Sequence, residues 1–291
     1  MPSVRDLRRK IKSVKSTQKI CKAMKAVATA KMAKSQEQVL AARPYARQLH
    51  EVLGRVAGGA RNVKNPLLAV RDPKKVCYVV ITADRGLCGG FNSNILRLTT
   101  KETAKWPEVA LVPVGRKARN FFRFRAWKTD NEYIGLGENV KPEQANEITN
   151  FVIKKYVDEE YDAVYLIYSK FKSVMVQIPT VVKLLPVEPP QAEEGAEEAK
   201  AEAKSKAAYL FEPSAEDVLE FLLPKYVQNS VFQGLIESKA SEHSARMMAM
   251  DNATKSAGEL IDRVTLQMNR LRQENITKEL LDIVGGAAAL E

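Results

Sequence analysis

Apolar residues recur every three or four positions along the first part of the chain, which is the spacing of one face of an α-helix. The stripe comprises Val4, Leu7, Ile11, Val14, Gln18, Cys21, Ala28 and Met32, and Ile20, Met24 and Val27 widen it. No glycine occurs before Gly54, so the pattern predicts a helix over residues 3–57. Because proline lacks an amide hydrogen, Pro44 should kink or interrupt this helix near Arg43.

A second stripe with the same spacing occupies the carboxyl-terminal part of the chain. Ser214 followed by Asp217 predicts a helix start with an acidic first turn, although Pro224 is a candidate break. Gly285-Gly286 predicts the helix end. The stripe steps by three and four, as a coiled-coil seam does, through Ala240, His243, Met247, Met250, Ala253, Ala257, Leu260, Ile261, Val264, Met268 and Leu271. Two such helices bury their stripes most simply by pairing with each other.

Residues 76–187 have a different pattern, in which short β-rich runs alternate with helical ones. The predicted strands are Val76–Thr82, Val109–Val114, Tyr133–Leu136, Asp162–Tyr168 and Val174–Leu185, and the predicted helices are Ser93–Trp106, Arg116–Phe124 and Pro142–Tyr156. This alternation predicts a mostly parallel, doubly wound sheet with helices on both faces. The last strand should run antiparallel, because Lys170–Ser173 is too short for a crossover helix.

These patterns together predict an α/β fold joined to a long helical coiled coil. The predicted coiled-coil helices are residues 1–57 and 209–291, paired antiparallel around a central doubly wound, Rossmann-like α/β domain at 76–187. Residues 188–208 form an acidic Ala/Glu/Lys tract without a bulky apolar residue. Since such a tract cannot build a core, we expect an exposed linker that is partly helical or disordered.

The net charge of +11 is concentrated near the amino terminus. Residues 1–34 hold eleven Lys and Arg residues, and Asp6 is their only acid. Such a block attracts an acidic partner, which could be nucleic acid, anionic lipid or an acidic protein surface, unless it is only a solvated helix face. Aromatic residues begin only at Tyr45, so base stacking on nucleic acid has no support in this block.

Few residues of the chain are suited to catalysis or metal binding. Cys21, Cys77 and Cys88 have no CxxC spacing and are predicted to be reduced thiols. His50 and His243 are the only histidines, and His243 lies on an apolar stripe, where we expect it to pack or to hydrogen-bond. No catalytic triad or zinc-type cluster can be assembled from these residues, so we expect no catalytic residue, cofactor or metal.

Residues 81–92 read ITADRGLCGGFN and lie where the first strand should end and a helix begin. Glycines in that position can cradle a phosphate at a helix N-terminus. The spacing matches neither GxGxxG nor the P-loop, and the alternative is a tight turn in which Asp84 and Arg85 are paired or contact another chain. The sequence leaves open the role of Asp84, Arg85, Gly86, Gly89 and Gly90.

Segments in a fixed order along the chain resemble the gamma subunit of bacterial F-type ATP synthases. They are RDLRRKI at 5–11 with TQKI at 17–20 and KAM at 22–24, the segment at 81–92, and ASEHSARM at 240–247 with DNAT at 251–254, closed by LRQENITKEL at 271–280. The resemblance covers nearly the whole chain. It implies a rotor without a catalytic site of its own, which transmits torque during ATP synthesis or hydrolysis.

The resemblance also implies partners and contact residues. The paired helices would enter a ring of three alpha and three beta subunits, and the α/β domain would contact epsilon and the ring of c subunits. The implied beta contacts are Arg272, Gln273 and Thr277 at the catch loops and Met24 and Arg246 at the acidic lever segment, and the implied contacts of the c ring and epsilon are Tyr209, Phe211 and Glu212.

Further expectations concern location, regulation and the rival function. The chain has no apolar run of about 18 residues that could span a membrane, and the resemblance implies a peripheral position on the cytoplasmic face of the bacterial plasma membrane. Plant-type relatives carry a redox-switch cysteine pair before the second long helix, and the tract at 188–208 lacks one. The alternative is a nucleic-acid-binding protein with a basic helical arm and a nucleotide-binding α/β domain, although we expect no nucleic-acid partner.

Overall fold

The computed structural model describes residues 3–59, 65–188 and 214–288. The helices are α1 (Val4–Gly59), α2 (Phe91–Thr103), α3 (Arg116–Phe124), α4 (Pro142–Val157) and α5 (Ala215–Ala288), with a short 3-10 helix at Pro66–Leu68. The strands are β1 (Lys75–Ile81), β2 (Glu108–Val114), β3 (Ala163–Phe171) and β4 (Gln177–Leu185). The acidic tract predicted at 188–208 lies outside the described residues from position 189 onward.

Neither proline interrupts the long helices. Both Pro44 and Pro224 lie inside helices that continue past them, so the predicted early break at Pro224 is wrong. Both prolines are exposed, and a carbonyl left without its helical partner on a solvent-facing side can bind water. The buried Leu219 and Leu223 hold the first turns of α5 in the core. Their burial outweighs the free-energy cost of having Pro224 inside the helix.

The predicted end of α5 at Gly285-Gly286 is also wrong. The helix continues to Ala288. Glycine ends helices mainly where it adopts positive φ, and Gly285 does not belong to the glycines with positive φ. A helical glycine costs only about 1 kcal/mol relative to alanine, which α5 tolerates here.

The four strands form one sheet in the order β2-β1-β3-β4. β1 pairs in parallel with both β2 and β3, and β4 runs antiparallel to β3, as the short 170–173 connection predicted. The predicted strand at Tyr133–Leu136 is wrong, since only an isolated bridge joins Tyr133 to Val114. Gly135 and Gly137 have positive φ values of 70° and 78°, which ends extended backbone at this point.

Alternate residues of the strands pack on helices at opposite faces of the sheet. On one face Cys77, Val79 and Ile81 join a buried core with residues of α1, α4 and α5. On the other face Val76, Tyr78 and Val80 pack with α2 and α3. This arrangement confirms the predicted doubly wound α/β architecture.

The chain divides into two units. The first joins α1 up to Thr29 with α5 from Arg246 onward, and the second is Ala30–Ala245, which contains the sheet. Within the first unit the two helices pair antiparallel, because Gln18 contacts Thr254 while Lys25 contacts Asp251. The domain boundaries given in the sequence analysis stay a prediction.

Candidate functional site

The glycine-rich turn, residues 82–92, caps the N-terminus of α3. The carboxylate Oδ1 of Asp84 accepts the amide of Arg116 at 2.9 Å, and the hydroxyl Oγ1 of Thr82 accepts the amide of Ala118 at 2.9 Å. The carbonyl of Ala83 accepts a further amide of the same turn of α3. These acceptors occupy the amide groups that would otherwise bind an anion at a helix N-terminus.

Asn92, at the start of α2, bonds to both halves of the glycine-rich turn. Its Oδ1 accepts the amide of Ala83 at 2.9 Å, and its Nδ2 lies 3.1 Å from the Sγ of Cys88. Leu87, in the middle of the glycine-rich turn, has a φ of 60°, and its side chain is 63% exposed. The carboxylate of Asp84 therefore binds backbone amides, and Arg85 is exposed. The contact of either residue with another chain stays a prediction.

The crevice at the carboxyl ends of the strands is almost completely filled. In doubly wound sheets ligands bind where the strand order reverses, which here is beside β1. The cavity at this edge has a volume of about 10 Å³, which holds about one water molecule. Its lining includes Leu136 and Val140 from the segment before α4 and Leu235 and Glu242 from α5. A nucleotide does not fit in this space.

Charged side chains join the two helices of the first unit. Lys25 Nζ lies 2.6 Å from Asp251 Oδ1, and Lys255 Nζ lies 3.0 Å from Asp251 Oδ2. The hydrogen bonds from these two lysines hold the pKa of Asp251 below its usual value. Met24 and Arg246, for which the resemblance implies contact with the beta subunit, lie in this unit, and each is partly exposed.

Residues 272–285 of α5, which we call the tip, are exposed along their whole length. They include the implied contacts Arg272, Gln273 and Thr277, and the hydroxyl of Thr277 bonds to the carbonyl of Gln273 at 3.0 Å. Large apolar side chains of the tip are exposed too, by 48% at Ile276 and 68% at Ile283. Exposed apolar side chains at this density indicate a surface that another protein covers.

The amino-terminal helix also exposes apolar side chains. Ile20 and Val27 are 57% and 56% exposed, although the sequence predicted that they widen the packed stripe. The stripe that packs is narrower and follows Leu7, Ala28 and Met32. The remaining implied contacts, Tyr209, Phe211 and Glu212, lie outside the described residues.

A row of buried polar residues on α5 was missed by the sequence analysis. The hydroxyls of Ser241 and Ser244 donate to the carbonyls of Ser169 and Val174 at 2.9 and 2.5 Å. Ser238 lies one turn before them and is also buried. The spacing of three between these serines was the available signal, because it places them on one face of a helix.

His243 confirms the prediction that it packs and hydrogen-bonds. It is 2% exposed, and its Nε2 lies 3.1 Å from Glu138 Oε2. Lys31 Nζ lies 2.5 Å from the other oxygen, Glu138 Oε1. Partial burial alone would raise the pKa of Glu138, but the hydrogen bond from Lys31 and the charge of His243 outweigh it, so the pKa lies below its usual value. Sequence reasoning did not identify Glu138.

Within the described residues no helix has the length and apolar character needed to cross a membrane. In the same residues no group of three or more His, Cys, Asp or Glu side chains is arranged to hold a metal ion.

Comparison with known proteins finds full-length relatives. The family model described as ATP synthase matches residues 3–290. The chain is 73% identical to the ATP synthase gamma chain of Desulforudis audaxviator and 62% identical to that of Pelotomaculum thermopropionicum, with 100% of each chain covered in both cases. Among solved structures, a chain of the Tetrahymena thermophila mitochondrial ATP synthase central stalk and c-ring is 27% identical, with a TM-score of 0.60, and the match covers 80% of this chain and 99% of that one. A chain of the Euglena gracilis mitochondrial ATP synthase shares the fold at 18% identity, with a TM-score of 0.68 over 99% of this chain and 94% of that one.

Proposed function

The chain belongs to the ATP synthase gamma-chain family, and we propose that it is the central shaft of a rotary ATP synthase. In this role it transmits torque between a proton-driven ring of c subunits and the alpha and beta subunits that synthesise or hydrolyse ATP. The observation that carries the proposal is the full-length identity of 73% with a gamma chain.

The antiparallel helix pair of the first unit supports this role physically. Two helices packed along a seam resist twisting better than one, because their side-chain contacts must shear before either helix can turn. Cross-helix bonds such as Lys25–Asp251 and Gln18–Thr254 add directional contacts to the seam. A pair of this kind can carry torque along its length.

The exposed surfaces of the first unit suit contact with the alpha and beta subunits. We propose that beta contacts Met24 and Arg246 on the helix pair, and Arg272, Gln273 and Thr277 on the tip. We propose that the lysines and arginines of residues 5–34 of α1 bias each beta subunit in turn among its nucleotide-binding states, because the three beta subunits would face different sides of the helix pair. We also propose that Tyr209, Phe211 and Glu212 contact the c ring or epsilon.

The chain has no catalytic site of its own in this proposal. The amides at the N-terminus of α3 are already bound by the glycine-rich turn, and the crevice beside β1 has about 10 Å³ of space. The first feature leaves no amide for a phosphate at the N-terminus of α3, and the second leaves no room for a nucleotide in the crevice beside β1. The proposed location is peripheral, at the cytoplasmic face of the bacterial plasma membrane.

ATP hydrolysis by mixed alpha and beta subunits, with and without this chain, tests the proposal. We expect the chain alone to be inactive, to co-purify with alpha and beta, and to give them sustained ATPase activity that they lack. A chain that neither assembles with alpha and beta nor stimulates them, and that binds nucleic acid or hydrolyses nucleotide by itself, would refute the proposal.

A further inference from the structure

The segment between α3 and α4 runs past the carboxyl edge of the sheet as a strap, residues 133–140. At its start the amide of Tyr133 donates to the carbonyl of Pro113 at 2.9 Å, beside the end of β2. The amide of Gly135 then lies 3.5 Å from Asp84 Oδ1 in the glycine-rich turn after β1. At its end Val140 is 3% exposed and belongs to the main core. The strap is therefore hydrogen-bonded to the sheet at its start and buried in the main core at its end.

The middle of the strap contacts both long helices. Glu138 binds Lys31 of α1 through Oε1 at 2.5 Å and His243 of α5 through Oε2 at 3.1 Å. We call these three residues the clasp. The side chain of Gln38, two turns further along α1, donates from Nε2 to the carbonyl of Val140 at 2.9 Å. One carboxylate thus joins α1, α5 and a segment anchored to the sheet.

The position of the clasp matters because the long helices need a directional attachment to the sheet. Lys31 and His243 lie within two residues of Ala30 and Ala245, where the second unit begins and ends. The apolar core also holds α1 and α5 on the sheet, but apolar burial is non-directional. Charge-assisted hydrogen bonds fix the rotation of a helix about its own axis as well as its distance. The clasp supplies these bonds at the start of the part of α1 that belongs to this unit and at the end of the corresponding part of α5.

We propose that Glu138 is a positioning residue that locks α1 and α5 to the α/β sheet, so that torque passes between the sheet and both helices through the clasp. This inference rests on the proposed shaft function and assigns a step of it to a specific residue. The edge of the sheet that binds ligands in related folds serves here as a mechanical joint.

Glu138→Gln is the test variant, and Glu160→Gln is its matched control. Glu160 accepts a hydrogen bond from Lys155 at 2.7 Å, and its side chain is 44% exposed against 51% for Glu138. Both substitutions remove one charged partner of a lysine at similar exposure. Only Glu138 contacts the long helices; the Lys155–Glu160 pair joins the end of α4 to the loop before β3.

Two readouts separate positioning from general stability. Loss of the charged hydrogen bonds should make hydrogen exchange of residues 133–140 about tenfold faster in the isolated chain for Glu138→Gln, with no change in this segment for Glu160→Gln. In the reassembled enzyme in lipid vesicles, we expect the protons pumped per ATP hydrolysed to fall about twofold for Glu138→Gln, while Glu160→Gln matches the unmodified chain. Glu138→Asp, which keeps the carboxylate that both Lys31 and His243 contact, should lose less than Glu138→Gln in both readouts.

The outcomes distinguish this inference from the proposed function. If the unmodified chain assembles and couples normally but Glu138→Gln pumps as many protons per ATP as Glu160→Gln, the clasp does not transmit torque. A loss in Glu138→Asp as large as the loss in Glu138→Gln overturns the inference as well, because the charged carboxylate would then not matter. If the unmodified chain itself fails to assemble with alpha and beta, the proposed function fails instead.

Discussion

Replacing Gly115 with alanine should destabilise the second unit far more than the same replacement at Gly137. Gly115 precedes α3 with a φ of 100° and a ψ of 147°. A Cβ atom there would lie 2.3 Å from the carbonyl oxygen of Thr82 and 2.9 Å from its carbon. Gly137 also has a positive φ, of 78°, but a Cβ atom there would meet nothing within 4 Å. An alanine at Gly137 would therefore meet backbone strain alone, whereas an alanine at Gly115 would meet both backbone strain and steric overlap.

The magnitudes follow from these two terms. At Gly115, an alanine held in a backbone region that only glycine populates costs about 1–3 kcal/mol. The overlap with backbone atoms of Thr82 adds about 1–3 kcal/mol or more, since those atoms cannot rotate away. Reduced freedom of the unfolded chain returns about 0.4–1 kcal/mol. The net loss of unfolding free energy should be about 3 kcal/mol.

At Gly137 only the left-handed backbone opposes alanine, at about 1–2 kcal/mol. The same gain from the unfolded chain offsets about 0.4–1 kcal/mol of this cost. The net loss should be about 1 kcal/mol, so the two variants should differ by about 2 kcal/mol.

Urea unfolding followed by tryptophan fluorescence measures this difference in the right part of the molecule. Both tryptophans of the chain, Trp106 and Trp127, lie in the second unit. The unfolding free energies are extrapolated linearly to water for the unmodified chain and for the two variants. If Gly115→Ala and Gly137→Ala lose the same free energy within about 0.5 kcal/mol, the close approach of Gly115 to Thr82 does not limit this turn, and the reasoning is refuted.

Three further predictions use other features of the chain. Asp84→Ala should lower the unfolding free energy by about 1–2 kcal/mol, because it removes the acceptor for the Arg116 amide at the start of α3. Asp84→Asn should cost less, and equal losses in urea unfolding would contradict the capping role. Burial raises the pKa of Tyr78 to about 12, above its unfolded value of about 10, so its contribution to stability should be complete below pH 10 and lost between about pH 10 and 12. Phenolate absorbance of the chain and of Tyr78→Phe checks this, and a Tyr78 that ionises near pH 10 would contradict it. Arg272→Ala should change the unfolding free energy by less than about 0.5 kcal/mol yet lower ATP hydrolysis by the complex with alpha and beta; unchanged hydrolysis would show that Arg272 is not a contact residue.

Much of the fold could be predicted because local patterns agree with the final packing. The bounds of α3 coincide with the predicted helix Arg116–Phe124, since the 3.6-residue period there is not opposed by any turn residue. The antiparallel β4 followed from the short connection before it. The strand predicted at 133–136 failed because Gly135 and Gly137 adopt positive φ in tertiary context.

The polar contacts that define the candidate site could not be predicted in the same way. Lys31, Glu138 and His243 are brought together by three elements far apart in the chain, and no local spacing marks such a cluster. The capping role of Asp84 likewise depends on α3, which begins more than 30 residues later. The exposure of Ile20 and Val27 could not be inferred from periodicity alone. Periodicity shows which face of a helix is apolar, but it does not show how much of that face the partner helix covers.

Rotation of this chain during ATP hydrolysis is the most direct test of the central claim. A probe attached at Phe124, which is 91% exposed, can be followed while alpha and beta subunits assembled with the chain are fixed to a surface. We expect the probe to turn in one direction, only while ATP is hydrolysed, and to stop when hydrolysis is blocked. Sustained ATP hydrolysis with a probe that stays still, or that only fluctuates about one orientation, would contradict the role of the chain as a shaft.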